Sequence, residues 1–207
     1  MNTSITYVCK YRKRGIVQTM TINNYYLGLM WCVGTLDEGR TMYRLQSFEP
    51  DKVYIMEQLR NIVLADITTN IRRHRGTERE IKILRFSDGV YAERLRELGY
   101  DNPEIEYPTN FKNIEFICAC LECRLKKANT NSKTVLFNVC ITNVDQWNNL
   151  VGDYLTSSKP PVLHYKDRND YRIYYTKDEI KKCAQIMLLQ DCSNKDFWKG
   201  ILEAYEK

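Results

Sequence analysis

The sequence predicts an α+β fold assembled from two pseudo-symmetric copies of one αββαββα unit, and three observations carry that expectation. A stretch of helical character, Asn23–Glu38 (NNYYLGLMWCVGTLDE), has an echo in Asn113–Leu125 (NIEFICACLECRL). Downstream of each copy the apolar periodicity switches in the same order, hairpin then helix then hairpin then helix. The capping signals recur in register too, since Thr176 with Glu179 stands where Ser87 stands in the first half.

Aligned without gaps from Tyr25 and Phe116, the two copies match Gly28 to Ala119, Cys32 to Cys123, Val33 to Arg124 and Gly34 to Leu125. Each copy therefore sets two small residues four apart on a helix, Gly28 with Cys32 and Ala119 with Cys123. That spacing lets helix backbones approach closely, so these four residues are the expected helix interface.

Composition bounds the rest. A chain of 207 residues, 43% hydrophobic and 28% charged, is long enough to bury a real core as one domain or two. No apolar run approaches the roughly 18 residues of a membrane span, and Met1–Ile22 lacks the apolar centre of a signal peptide. The expectation is a soluble protein of a reducing, intracellular compartment, with no membrane partner. The eight cysteines sit within apolar elements, which favours reduced thiols over a disulfide framework. Cys118, Cys120 and Cys123 would point in different directions from one helix, with no following Cys/His pair, so no metal is expected there. The net charge of +5 is moderate, and its distribution is more telling: Arg72, Arg73, His74 and Arg75 cluster, as do Lys10, Arg12, Lys13 and Arg14.

In chain order, residues 1–22 read as an N-terminal extension of two short strands, Thr6–Tyr11 and Ile16–Ile22, with Arg12–Gly15 as their turn. The first repeat occupies residues 23–100. Asn23 or Asn24 caps its first helix and Gly34 ends it. A hairpin turns at Asp37–Gly39 into the strand Arg40–Phe48, and a helix runs from Pro50–Asp51 to about Leu64 on the spacing of Val53, Ile55, Met56, Leu59, Ile62 and Val63. A second hairpin joins Ile67–His74 to Glu80–Phe86 through a turn near Gly76, and Ser87 caps a helix to Leu98 that Gly99 stops.

Residues 101–112 hold two prolines and little periodicity and read as a linker. The second repeat, 113–207, gives the motif helix, a strand Lys133–Thr142, a helix Asp145–Leu155, strands Val162–Lys166 and Tyr171–Tyr175 around a turn at Asp167–Asp170, a helix Thr176–Leu189, and a closing helix Asp196–Tyr205.

The duplicated motif, the element order and the segment LRFSDGVYAERLRELGY (Leu84–Tyr100) before a proline-containing linker together resemble the LAGLIDADG homing endonucleases. The similarity covers nearly everything from Asn23 to about Leu189. It implies motif helices lying side by side, a saddle of antiparallel sheets, and double-stranded DNA against the sheet face that no helix covers. In that family an acidic residue just before a glycine ends each motif, and the two acids hold divalent metal for phosphodiester cleavage. Here the corresponding positions are Val33 and Arg124. A hydrocarbon offers no oxygen ligand and a guanidinium repels a cation, so the resemblance implies a degenerate site with no catalytic residue and no cofactor.

The resemblance also implies which residues would meet DNA, given strand alternation. The strand Arg40–Phe48 can turn either Met42, Gln46 and Phe48 or Tyr43, Leu45 and Ser47 to the core. With Tyr43 and Leu45 inward, the favoured setting, Arg40, Arg44 and Gln46 face out; with Ile67 and Ile71 inward, Thr68, Asn70, Arg72 and His74 face out; with Leu84 and Phe86 inward, Arg85 faces out beside Ile83. In the second repeat Val135, Phe137, Val139 and Ile141 inward leave Thr134, Asn138 and Thr142 outward. Leu163, Tyr165, Tyr171, Ile173 and Tyr175 inward leave His164, Lys166, Arg172 and Tyr174 outward. None of these outward positions is acidic, as an interface with phosphate and base edges requires.

The expected function is sequence-selective binding of double-stranded DNA by a monomer, without cleavage, as in a transcriptional repressor or another occluding factor, in the cytoplasm or on the nucleoid. Three alternatives stand beside it. Displaced carboxylates, Glu122 and Asp37, could rebuild a metal site, although Glu122 points about 200° away from position 124 on a helix and Asp37 lies past a helix end. An RNA-binding intron maturase and a protein-binding inhibitor made by a mobile element complete the set.

Overall fold

The computed structural model describes residues 11–13, 16–18, 22–36, 41–63, 65–74, 76–128 and 136–206. A short hairpin, β1 (Tyr11–Lys13) and β2 (Ile16–Gln18), comes first, and it places Arg12 and Lys13 in a strand rather than in the expected turn. The first unit then runs α1 (Asn24–Val33), β3 (Thr35–Leu36), β4 (Met42–Ser47), α2 (Pro50–Val63), β5 (Ile67–His74), β6 (Thr77–Ser87) and α3 (Gly89–Glu97). The second runs α4 (Ile114–Arg124), β7 (Lys126–Lys127), β8 (Phe137–Ile141), α5 (Val144–Val151), β9 (Val162–Tyr165), β10 (Asp170–Tyr175), α6 (Lys177–Leu188) and α7 (Lys195–Glu203). The chain divides into two compact units between Asp101 and Asn102. Thr6–Lys10, Arg14, the Asp37–Gly39 turn with Asp37, Arg40, Leu64, Arg75 and residues 133–135, including Thr134, lie outside the described residues.

The duplication is visible in the sheets. Each unit has one antiparallel four-stranded sheet, in the orders β3-β4-β6-β5 and β7-β8-β10-β9, so in both a two-residue strand forms one edge and the last strand in sequence lies inside. The motif helices open alike. The Asn23 side-chain oxygen accepts from the Tyr26 N–H at 3.1 Å, and that of Asn113 accepts from the Phe116 N–H at 3.1 Å, each replacing a partner the first helical turn cannot supply. Both helices bury consecutive residues rather than a stripe, Leu27–Trp31 in α1 and Phe116–Leu121 in α4, as helices apolar on all sides must.

In the first unit α2 packs on β4, β5 and β6, and α1 touches α2 and α3. Tyr43, Leu45, Leu84 and Phe86 from the sheet and Met56 and Leu59 from α2 are buried, each stabilising the unit by about 1.5–3 kcal/mol. Gly34 ends α1 where a Cβ would fall inside the Tyr43 ring, and its carbonyl accepts from the Tyr100 hydroxyl at 2.7 Å. Asp88, one residue later than expected, caps α3, accepting from the Val90 and Tyr91 N–H groups. Gly99, at φ 93, takes the left-handed turn that follows α3.

Two expectations about the first sheet fail. Ile71 is 69% exposed instead of inward: β4 pairs with β6 only from Lys82 to Ser87, so the β5–β6 hairpin from Asn70 to Ile81 projects as a two-stranded ribbon beyond the four-stranded part. Ile83 is 1% exposed instead of outward, because its strand is interior and Gln46 and Thr68 flank it on either side.

In the second unit the expected linker is not slack. Gln146 Oε1 accepts from the Glu106 and Tyr107 N–H groups, and Tyr107 is fully buried with its ring 5.0 Å from Trp147. The Trp147 indole donates to the Tyr175 hydroxyl at 2.8 Å, tying α5 to β10. Helix α5 is capped by Asn143 and stops at Val151, short of the expected Leu155, with Gly152 as its C-cap. Thr176 and Glu179 form the expected capping box on α6; burial works to raise the Glu179 pKa, but hydrogen bonds from Thr176 and Ser158 outweigh it and lower the pKa. Leu163 and Tyr165 are 41% and 53% exposed rather than inward, since β9 is an edge strand whose register slips between Asp170 and Tyr171.

One carboxylate ties α7 to α4, beside the packing of α7 on α6. Glu122 Oε1 on α4 accepts from the Trp198 indole at 2.6 Å, the Asn194 N–H at 2.8 Å and the Cys118 thiol at 3.3 Å. The Cys118 thiol is pushed up by its hydrogen bond with Cys192, then by burial and by Glu122. Glu122→Ala removes an acceptor from two N–H groups at once and is expected to lower unfolding stability by about 2–4 kcal/mol, with Glu122→Gln costing about 1 kcal/mol because an amide oxygen remains. Urea unfolding midpoints of the two variants measure this; equal stability of Glu122→Ala and the native chain would contradict it.

Candidate nucleic-acid interface

Antiparallel partners share a face, so the pairing register sorts every strand residue to one side of its sheet or the other. In the first unit Tyr43, Leu45 and Ser47 are buried, as expected, which sets Arg44 and Gln46 on the opposite face. Arg44 pairs with Arg85, Gln46 with Ile83, Thr68 with Ile83, Asn70 with Ile81, and Arg72 with Arg79. Five of the named residues, Gln46, Thr68, Asn70, Arg72 and Arg85, are exposed, and Arg44 is half-buried. His74 pairs with Thr77 at the end of β5, and its side chain is outside the described set. Thr68 spends its hydroxyl hydrogen on the Ile83 carbonyl at 3.3 Å.

This face carries two arginine–arginine pairs, Arg44 with Arg85 and Arg72 with Arg79, directly opposite across neighbouring strands. Like charges in that position destabilise a sheet, by up to about 1 kcal/mol each. None of the four forms an ion pair with a described carboxylate, whereas Arg60, Arg94 and Arg96 on and after the helices pair with Glu57, Glu97 and Asp101. The acidic residues of the hairpin, Glu78 and Glu80, pair with Arg73 and Ile71 on the other face, where Lys82 reaches Glu80 at 3.9 Å. The face is therefore basic by partition of charge, not by excess of it.

Arg79 and Phe48 belong to this surface and were missed by sequence reasoning. The Arg79 guanidinium lies over the Phe48 ring, 4.8 Å from its centroid, and Phe48 is 44% exposed. The strand begins at Thr77 rather than Glu80, and only that longer strand, read with its register, brings Arg79 opposite Arg72.

In the second unit Phe137, Val139 and Ile141 of β8 and Ile173 and Tyr175 of β10 are buried as expected. The other face pairs Asn138 with Tyr174 and Cys140 with Arg172, and Lys126 of β7 also pairs with Asn138. Val162 pairs with Arg172, which puts His164 on the Arg172 side, and Arg172 Nη2 lies 2.6 Å from His164 Nε2. Arg172 Nη1 is 3.4 Å from the Tyr174 hydroxyl, and its Nε is buried with no hydrogen-bond partner among the described residues. Lys126 and Cys140 extend the expected set, while Lys166 falls in the turn after β9.

Two carboxylates qualify this second face. Asp170 opens β10 in the same alternation as Arg172 and Tyr174, and Glu106 Oε2 accepts from the Thr142 N–H and hydroxyl, both at 2.9 Å, so Thr142 holds the chain rather than a ligand. Burial, then Asp170, pushes the Cys140 thiol up.

Val33 is the last residue of α1 and Arg124 the last of α4, the same place in each unit, and both are half-buried. Gly28 and Ala119 are buried and Cys32 and Cys123 half-buried. A side chain of carbon and one of fixed positive charge do not fit a divalent cation. Glu122, the nearby carboxylate on α4, has its Oε1 engaged by the Asn194 N–H and the Trp198 indole. Among the described residues no group of three or more His, Cys, Asp or Glu side chains is arranged to hold a metal ion, and no helix is long and apolar enough to cross a membrane.

No family model matches the sequence, and no curated relative matches it. Its structure is similar to that of full-length DUF199/WhiA from Thermatoga maritima, with a TM-score of 0.51 at 10% identity, covering 88% of this chain and 59% of that one. Lower scores relate it to the N-terminal LAGLIDADG domain of DUF199/WhiA (0.48, 11% identity, 84% and 85% covered) and to the LAGLIDADG homing endonuclease I-GzeII in complex with its DNA target (0.49, 12% identity, 90% and 91% covered). The likeness is one of fold, and the α+β, LAGLIDADG-like architecture expected from the sequence is the architecture found.

The arginine pairing has a measurable cost in the free protein. Arg85→Gln is expected to raise stability by about 0.2–1 kcal/mol at low salt, with the gain shrinking as salt screens the repulsion. Thermal unfolding at two ionic strengths checks this, and a loss of stability at low salt would contradict it.

Proposed function

We propose that this chain binds double-stranded DNA in a sequence-selective manner through the helix-free faces of its two sheets, and that it does not cut the strand it binds. The observation that carries the reading is the pair of arginine–arginine contacts on the first face, which carry no counter-charge from any described residue. A phosphate backbone supplies that counter-charge, and its condensed cations are released on binding. Arginine, asparagine and glutamine on alternate strand positions also match the donor and acceptor pattern of base edges, Arg with guanine and Asn or Gln with adenine. The β5–β6 ribbon has the width a major groove admits, which favours duplex DNA over A-form RNA, whose major groove is too narrow for side chains to read.

The loss of cleavage rests on chemistry at the motif ends. A two-acid metal site needs oxygen ligands from both helices; Val33 has none, and Arg124 brings a cation that serves a phosphate instead. A monomer with two unlike faces would read two unlike half-sites, and a bound protein that leaves DNA intact acts by occupying it, as a repressor or other occluding factor does.

Filter binding to a duplex selected from a random library is expected to weaken with salt. Gln at Arg44, Arg72, Arg79 or Arg85 should lower the slope of log K against log salt by about 1 each, while Arg60→Gln leaves it alone. The bound duplex should stay intact in Mg²⁺ or Mn²⁺. Nicking of that duplex would sink the non-cutting assignment, and affinity insensitive to salt would sink nucleic-acid binding itself.

A further inference from the structure

We propose that His164 is a proton-controlled positioning residue for Arg172: neutral, it holds the guanidinium in place, and protonated, it releases it. The argument starts from donor counting. An arginine side chain has five N–H donors and no acceptor, so a nitrogen 2.6 Å from Arg172 Nη2 must present a lone pair. His164 Nε2 is therefore the unprotonated ring nitrogen and the proton of the neutral ring sits on Nδ1. An imidazolium carries hydrogen on both nitrogens, so protonation removes the acceptor and sets two cations side by side.

Little else holds the guanidinium. Its Nε is buried without a hydrogen-bond partner among the described residues, and the Tyr174 hydroxyl lies at 3.4 Å from Nη1, at the long limit of a bond. The groups facing His164 are countable. Among the described residues β9 pairs with β10 alone, which contributes Arg172, Tyr174 and Asp170. On its own strand the Tyr165 ring lies 4.0 Å away, the following turn holds Lys166 and Arg168, and Cys140 stands beyond Arg172 on β8. Neither His164 nor Arg172 forms an ion pair with a described carboxylate, so a second charge would sit beside the first without a direct counter-ion, Asp170 being the carboxylate on the same strand face.

For its effect on ligand binding, the inference rests on the DNA-binding reading; the contact between the two side chains does not. With His164 neutral, a fixed guanidinium can favour one base pattern. With His164 protonated, the face gains one positive charge and loses that fixed donor, so affinity for any duplex rises while preference among duplexes falls. One more cation is expected to raise affinity about five- to tenfold at 0.1 M salt.

Two measurements decide the matter. Long-range ¹H–¹⁵N spectra of the full chain at about pH 8 should show His164 with its proton on Nδ1, and on acidification toward about pH 5.5 the Arg172 Nη signals should move with the His164 ring. A ring protonated at Nε2, or Arg172 signals that ignore the titration, would overturn the proposal whether or not DNA binds. With a mixed-sequence DNA duplex as probe, the ratio of affinities at the two pH values should be about five- to tenfold larger in the native chain than in His164→Gln, whose amide oxygen accepts at either pH. An undiminished ratio in His164→Gln would overturn it. A protein with the Nδ1 tautomer that binds no duplex would leave the contact standing and remove the function proposed above.

Discussion

Two pairs of arginines, facing each other across neighbouring strands with no carboxylate from any described residue beside them, are what the sheet of the first unit has to tolerate. The repulsion is small, up to about 1 kcal/mol per pair, and the buried side chains behind the sheet outweigh it. Tyr43, Leu45, Leu84 and Phe86 lie on the reverse of the very strands that carry Arg44 and Arg85. Strand alternation thus divides the labour: one set of positions holds the sheet on its helix, and the other is left with a charge that only a ligand or salt can neutralise.

The two units share one plan and differ in detail. Strand order and asparagine caps are the same in both. Among the described residues the first face carries no acid, and it ends in a projecting ribbon, while the second mixes Arg172 and Lys126 with Asp170 and ties Thr142 to Glu106. At the motif ends Val33 and Gly34 stand in one unit where Arg124 and Leu125 stand in the other, the glycine being required by the Tyr43 ring. Divergence of this kind makes the faces unequal in charge and in the bases they could prefer.

Much of the fold was legible because its signals are local. The Asn23 cap and Gly34 stop, the Ile67–His74 strand and the Thr176–Glu179 box lie where the sequence puts them. Alternation leaves two settings open for the strand Arg40–Phe48, and the favoured one, with Tyr43 and Leu45 inward, is the one the structure has. Helix ends slip by a few residues, with Asp88 in place of Ser87 as a cap and α5 stopping at Val151. The failed inward and outward settings involve what neighbouring strands do. Ile71 is bare because its hairpin outruns β4, Ile83 is covered because its strand is interior, and Leu163 and Tyr165 are exposed because β9 is an edge with a register slip. Arg79 escaped for the same reason, since its place opposite Arg72 is a fact of register. Glu122 looked like a candidate ligand until the partners of its Oε1 were known, a long-range contact that spacing cannot encode.

The most direct measurement is a titration of the chain with a selected DNA duplex, followed through the side-chain ¹⁵N signals of its arginines. The signals of Arg44, Arg72, Arg79 and Arg85 should shift together as duplex is added, while those of Arg60, Arg94 and Arg96, each already paired with a carboxylate, stay in place. Shifts confined to the helical arginines, or none among the four on the open face, would contradict the account.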